Sequence, residues 1–208
     1  MRHAFSVFAA LLSTGTVLAE PLFNGKDLTG WKVAGFIDEG TVSVSNGVIA
    51  CGAGHPMSGI VYTNVPPSMN YEISLDAMRV DGSDFFIGLT LPVGTNRCTV
   101  IIGGWGGSVC GVSCIDYMDA SENPYSTGIT LRSGKWYHLR VRVEPKLLTV
   151  SLDDTEYSAK IPYESTDQFS LRSGYEIEKT APLGICTFRT TAWWKNIELT
   201  AWPPARYP

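Results

Sequence analysis

The chain has 208 residues and carries 16 lysines and arginines against 20 aspartates and glutamates, a net charge of −4. With no cluster of basic side chains in view, nucleic acid is excluded as a partner, because that binding rests on cations neutralising phosphates. Charged residues make up 17% of the chain, against about 25% in an ordinary globular domain, and the 21 glycines suit many short strands joined by tight turns.

The first predicted element is an export signal over residues 1–19. Arg2 precedes an apolar run at residues 4–12, and Val17 and Ala19 stand three and one before the expected cut. The run is too short to cross a bilayer, and no later stretch approaches the roughly 20 apolar residues a membrane helix needs, so no membrane partner is expected. The mature part, residues 20–208, is expected in the periplasm or outside the cell, as a single domain large enough for a full core. Its five cysteines, Cys51, Cys98, Cys110, Cys114 and Cys186, are read either as buried small hydrophobes or as one or two disulfides with at least one thiol left over.

Right after the expected cut stands Pro21-Leu22-Phe23-Asn24-Gly25-Lys26-Asp27-Leu28-Thr29-Gly30-Trp31, with a single helical turn expected near residues 26–28. Thr41-Val42-Ser43-Val44-Ser45 alternates apolar and polar residues. Asn46-Gly47 supplies the positive backbone angles of a tight turn, and Val48-Ile49-Ala50 resumes the strand, which is the strongest hairpin pattern in the chain. A short strand is expected at residues 60–62. Over residues 71–79, Tyr71, Ile73, Leu75 and Ala77 share one face, with Glu72, Ser74, Asp76 and Met78 on the other. Three nearly continuous apolar runs follow, at 85–91, 98–102 and 109–115, and belong centrally in a sheet. Further strands are expected at 136–143, 147–152, 155–160, 169–171, 183–188 and 194–200. No segment of helical period is long enough to be a helix. Strands this frequent, with turn signals about every ten residues, mean a sandwich or jelly roll.

Three constellations carry chemistry. In Gly103-Gly104-Trp105-Gly106-Gly107 the glycines free the backbone. Trp105 there is either an exposed platform for a sugar ring or a residue packed under the bend. The acidic stretch Asp116-Tyr117-Met118-Asp119-Ala120-Ser121-Glu122-Asn123 offers oxygen ligands for a divalent cation or a general base beside a substrate; the alternative is a solvated turn. Around the turn after residues 71–79 lie Arg79, Asp81 and Asp84, with Glu72 and Asp76 on the polar face of the strand. His55, in Gly54-His55-Pro56, is placed to relay a proton, whereas His138 alternates with core residues and reads as structural. A nucleophile elbow is lacking, so a serine hydrolase is excluded.

Together with Gly47-Val48-Ile49, Gly134-Lys135-Trp136-Tyr137 and the closing Trp194-Lys195-Asn196-Ile197-Glu198-Leu199, the segment at residues 21–31 resembles the 3-keto-disaccharide hydrolase family, in the order that family uses. The resemblance implies an all-β, concanavalin A-like jelly-roll β-sandwich of two antiparallel sheets. It also implies an exported enzyme acting on 3-keto-glycosides, with carbohydrate as partner. A ketone at C3 acidifies the neighbouring carbon-bound hydrogen, so a base can remove it while the glycosidic oxygen departs. For that chemistry the candidates are Glu122 or Asp119 as base, His55 and Arg79 as donors, and Trp105, Asp84, Asp116 and Asn123 as substrate-binding or positioning groups. One strand departs from the family pattern. Phe86-Ile87-Gly88-Leu89-Thr90-Leu91-Pro92 lacks the Ser-Gly-Ile run ending in arginine. That departure, and the presence of only His55 and His138 beyond residue 19, favour an alternative, a non-catalytic glycan-binding module on the same fold.

Overall fold

A computed structural model describes residues 19–154 and 156–203. The export signal expected over residues 1–19 falls, but for Ala19, outside them. Among the described residues the chain forms fifteen strands. They are β1 (Glu20–Pro21), β2 (Trp31–Val33), β3 (Val42–Ser45), β4 (Val48–Cys51), β5 (Met57–Tyr62), β6 (Tyr71–Gly82), β7 (Ile87–Val93) and β8 (Asn96–Gly104). The rest are β9 (Val109–Ser113), β10 (Thr127–Gly128), β11 (Trp136–Glu144), β12 (Leu147–Leu152), β13 (Tyr157–Pro162), β14 (Gly184–Phe188) and β15 (Thr190–Ala201).

They build two antiparallel sheets, so the expected all-β sandwich is the one observed. The first runs β13-β12-β11-β6-β15-β4-β3, with β1 pairing β15, and the second runs β10-β9-β8-β7-β14-β5-β2. Local sequence explains the elements that were expected. Asn46 and Gly47 both take positive φ, 51° and 76°. Ser45 pairs with Val48 across them, the type of two-residue turn whose twist matches a hairpin. Asp153 and Asp154, also left-handed at 45° and 56°, turn the chain between β12 and β13, a conformation aspartate tolerates better than most side chains.

In β6, Tyr71, Ile73, Leu75 and Ala77 are fully buried, while Glu72, Ser74 and Asp76 stay half-exposed on the far face. Facing them across the sandwich are Leu89, Leu91, Val93, Val100, Ile102 and Val112 of the second sheet, all without exposure and in one contiguous cluster. Trp194 is buried in that cluster and its indole N–H donates to Phe86 O at 2.9 Å, so the largest core side chain leaves no polar atom unpaired.

The second sheet is buried on its outer face too. There Phe36, Met57, Phe85, Ile101, Ala120, Ile177 and Cys186 form a separate cluster. This is why the three apolar runs show no alternation: β7, β8 and β9 are neighbours with one face on the core and the other under returning loops. Two expectations differ from what is observed. Residues 169–171 form no strand, only a single bridge from Phe169 to Ile115, and helical turns occur at Thr166–Gln168 and Ile177–Thr180. The turn expected near residues 26–28 is instead an Asn24 and Asp27 hydrogen-bonded bend, in which Asn24 Oδ1 accepts from Lys26 and Asp27 N–H. All five cysteines are buried and free.

Candidate functional site

The covered outer face of the second sheet holds a cavity of about 180 Å³. β8 gives it Thr99 and Ile101, β9 gives Ser113, β5 gives Met57 and β14 gives Phe188. Alternation explains the choice for Thr99, Ile101 and Ser113, each next to a residue of the sandwich core, Cys98, Val100, Ile102 or Val112. Loops supply the remaining wall, with Asp84 and Phe85 from the turn before β7, Trp105 from the glycine bend after β8, and Arg172, Tyr175 and Ile177 from the stretch before β14.

The aromatic rings form a chain around the rim. Phe85 and Phe188 centroids lie 5.8 Å apart, and Tyr175 meets Phe188 edge-on at 5.6 Å. The Arg172 guanidinium then sits 5.1 Å from the Tyr175 ring and 5.4 Å from the Trp105 ring, within cation–π range of both. Trp105 and Tyr175 remain 37% and 41% exposed, so their rings are available to a ligand.

Two supports fix the Trp105 bend. From below, buried Arg79 donates from Nη2 to Gly107 O at 2.8 Å, with its guanidinium 5.2 Å from the Phe86 ring. From the cavity side, Asp84 Oδ2 accepts from Gly106 N–H at 3.2 Å and Asp84 Oδ1 from Phe85 N–H at 2.8 Å. Burial pulls the Arg79 guanidinium below the ordinary arginine value, against the opposing pull of Tyr137 and Asp84.

The acidic loop reaches the cavity through one residue. Asp119 Oδ2 lies 3.1 Å from Arg172 Nε. Asp119 Oδ1 accepts from the Cys114 thiol at 3.3 Å. Burial first, and Asp119 second, push that thiol up to about 12. Glu122 is exposed, and its Oε2 accepts from Asp119 N–H at 3.1 Å. Asn123 is buried, its amide donating to Val112 O and Asp119 O at 2.8 Å each. Asp116 is exposed and accepts from Gln168 Nε2 at 3.2 Å. His55 is exposed in the loop before β5 and does not line the cavity. The structure therefore brings together Asp84, Trp105 and, through Arg172, Asp119. It sets Arg79 beneath the bend and leaves Glu122, Asn123, Asp116 and His55 off the wall. Among the described residues no group of three or more His, Cys, Asp or Glu side chains is placed to hold a metal ion.

A model of the 3-keto-alpha-glucoside-1,2-lyase-like domain matches residues 18–200. The chain belongs to this family. No sequence match was found among curated proteins. Among solved structures, a protein of unknown function with a galectin-like fold from Bacillus subtilis superposes with a TM-score of 0.59 at 9% identity, over 90% of this chain and 96% of its own. A putative glycosyl hydrolase from Parabacteroides distasonis gives 0.53 at 16% identity, over 89% and 100%. The carbohydrate-binding module CBM66 from Bacillus subtilis gives 0.52 at 14% identity, over 84% and 97%. At these identities the likeness is one of fold, the antiparallel jelly-roll sandwich.

In this lyase-like domain the residues that sequence reasoning missed are Arg172 and Tyr175. Both lie in Leu171-Arg172-Ser173-Gly174-Tyr175, a stretch with no motif. The local hint was an arginine and a tyrosine flanking a Ser-Gly turn; Phe169 bridging Ile115, Arg172 pairing with Asp119 and Tyr175 meeting Phe188 bring the stretch back over the sheet.

Proposed function

We propose that this chain is an exported carbohydrate-active enzyme that cleaves 3-keto-glycosides by abstraction of the proton at C2. The observation that carries the reading is the convergence of Asp84, Trp105 and Arg172 on one aromatic-rimmed cavity in a chain of the 3-keto-alpha-glucoside-1,2-lyase-like family. Trp105 and Tyr175 offer ring faces to the apolar side of a pyranose. Among the described residues Asp84 is the one carboxylate on the cavity wall, and as base it needs only the lone pairs left over from its two backbone hydrogen bonds.

The chemistry balances in two steps. The base takes the C2 proton, the C–H pair becomes the C2–C3 double bond, and the ketone π pair moves onto O3. The pair on O3 then returns, a C1–C2 double bond forms, and the C1–O bond breaks with its electrons leaving on the glycosidic oxygen, which takes a proton. Water adding across C1–C2 completes net hydrolysis.

The test is sugar release from a 3-keto-glucoside. Asp84→Asn should lower kcat by about 10²–10⁴, the range a positioned base supplies, while Trp105→Ala should chiefly raise KM. Undiminished turnover by Asp84→Asn removes it as the base. One observation favours a glycan-binding module without catalysis: both Asp84 oxygens are already engaged by backbone N–H groups, which leaves fewer lone pairs to take a substrate proton. That second reading wins if the parent protein binds saccharide through Trp105 and releases no sugar.

A further inference from the structure

Among the described residues, Arg172 is the only cation on the wall of the cavity. Its Nε is held by Asp119 at 3.1 Å, and Asp119 does not line the cavity, so the salt bridge grips the guanidinium from behind. Asp119 is itself fixed. Its backbone O accepts from Glu122 N–H at 2.9 Å and from Asn123 N–H at 3.0 Å, and its backbone N–H donates to Glu122. The guanidinium carbon lies 5.4 Å from the Trp105 ring and 5.1 Å from the Tyr175 ring. With Asp119 at Nε, the terminal nitrogens Nη1 and Nη2 are the donors left to a ligand. The side chain is 38% exposed, open enough for a ligand to reach them.

The other polar groups of the wall are poorly suited to the same task. Thr99 Oγ1 is buried and shares its hydrogen bond with Thr90 at 3.0 Å. Ser113 Oγ accepts from Ala120 N–H at 2.9 Å and lies on the floor. Asp84 carries negative charge. A guanidinium has five donors, no acceptor and a charge that persists at any working pH, in a fork that fits two adjacent oxygens.

We propose that Arg172 is a catalytic residue of this site: its two terminal nitrogens donate to O3 of a 3-keto sugar and to the neighbouring hydroxyl oxygen, and stabilise the negative charge that arrives on O3 when the C2 proton leaves. This rests on the proposed function and adds the group that takes up the enolate charge. Asp119 is then a positioning residue that fixes the fork, and Trp105 and Tyr175 flank it.

The experiment measures two rates on a 3-keto-glucoside, sugar release and exchange of the C2 proton with deuterated solvent, for the parent, Arg172→Met, Arg172→Lys and Arg172→Ala. Removing a donor from a developing oxyanion costs about 10²–10³ in rate. Arg172→Met should lose that much in both kcat and C2 exchange, with Arg172→Lys, which keeps a charge but not the fork, falling in between. Added dilute guanidinium should restore part of the C2 exchange in Arg172→Ala, which a purely structural arginine would not allow. An active parent whose Arg172→Met and Arg172→Lys variants retain C2 exchange overturns the assignment and leaves the proposed function standing. A parent that exchanges no C2 proton and releases no sugar overturns the proposed function itself.

Discussion

Gly103 shows how one position can serve both fold and site. Its φ is +81°, and a Cβ there would strike the Arg79 terminal nitrogen and approach Leu131 Cδ1 at 3.2 Å. Gly103→Ala combines left-handed strain with overpacking and should destabilise by about 1–3 kcal/mol. A urea midpoint checks it, and Trp105 fluorescence should shift with it. The run of glycines was legible in the sequence as a bend, and so was the choice between a platform and a packed indole at Trp105. The arginine that braces the bend was not legible as a brace, because Gly107 and Arg79 lie 28 residues apart and local reading gives only Arg79's place on a strand. For the same reason Asp119 was legible as part of an acidic cluster, whereas its partner Arg172 was not. Asn123 is expected among the substrate-binding or positioning groups because it stands beside carboxylates in the acidic stretch. In the fold its hydrogens go to the backbone of β9 and of its own loop.

At the scale of the element, a line of threonines links the strands of the second sheet beside the cavity to the turn that closes it. Thr90 shares hydrogen bonds with Thr99 at 3.0 Å and with Thr180 at 2.6 Å, and Thr180 donates to Ile177 O at 2.6 Å. The ladder ties β7 to β8 and pins the turn Ile177–Thr180, which carries Ile177 into the cavity wall. Thr90→Val keeps the shape and leaves two buried hydroxyls short of a partner, a cost of about 1–3 kcal/mol. Denaturant unfolding should show the loss, and hydrogen exchange should show residues 177–180 losing protection first. The long strands were legible because they run past four residues with a clear period or an unbroken apolar run. The short edge strands β1, β2 and β10, of two or three residues, were not, since so few residues carry no period and are recruited by the neighbour they pair with.

For the whole molecule, burial sets the response to alkali. Burial pushes Cys51 up to about 12 and Cys110 to about 11 from the ordinary 9.0. Cys98, Cys186, Tyr71 and Tyr157 move the same way for the same reason. The folded chain therefore keeps protons that the unfolded chain releases. Stability is complete below the unfolded thiol value and declines as pH rises toward the folded ones. The urea midpoint should hold steady near pH 7.5 and fall progressively above about pH 9, by up to about 1.4 kcal/mol per pH unit for each fully buried thiol. A midpoint unchanged at about pH 10.5 would contradict the burial of these groups. The sequence by itself determined the strand-rich class, the hairpin at Asn46-Gly47 and the family, because alternation, turn chemistry and motif order are local properties of the chain. Only the tertiary structure decided where the cavity lies and that Arg172 and Tyr175 rim it with Trp105 and Asp84. Those four come from three separate loops, and their meeting depends on how two sheets stack and which loops fold back over the outer face, a non-local outcome that no window of sequence contains.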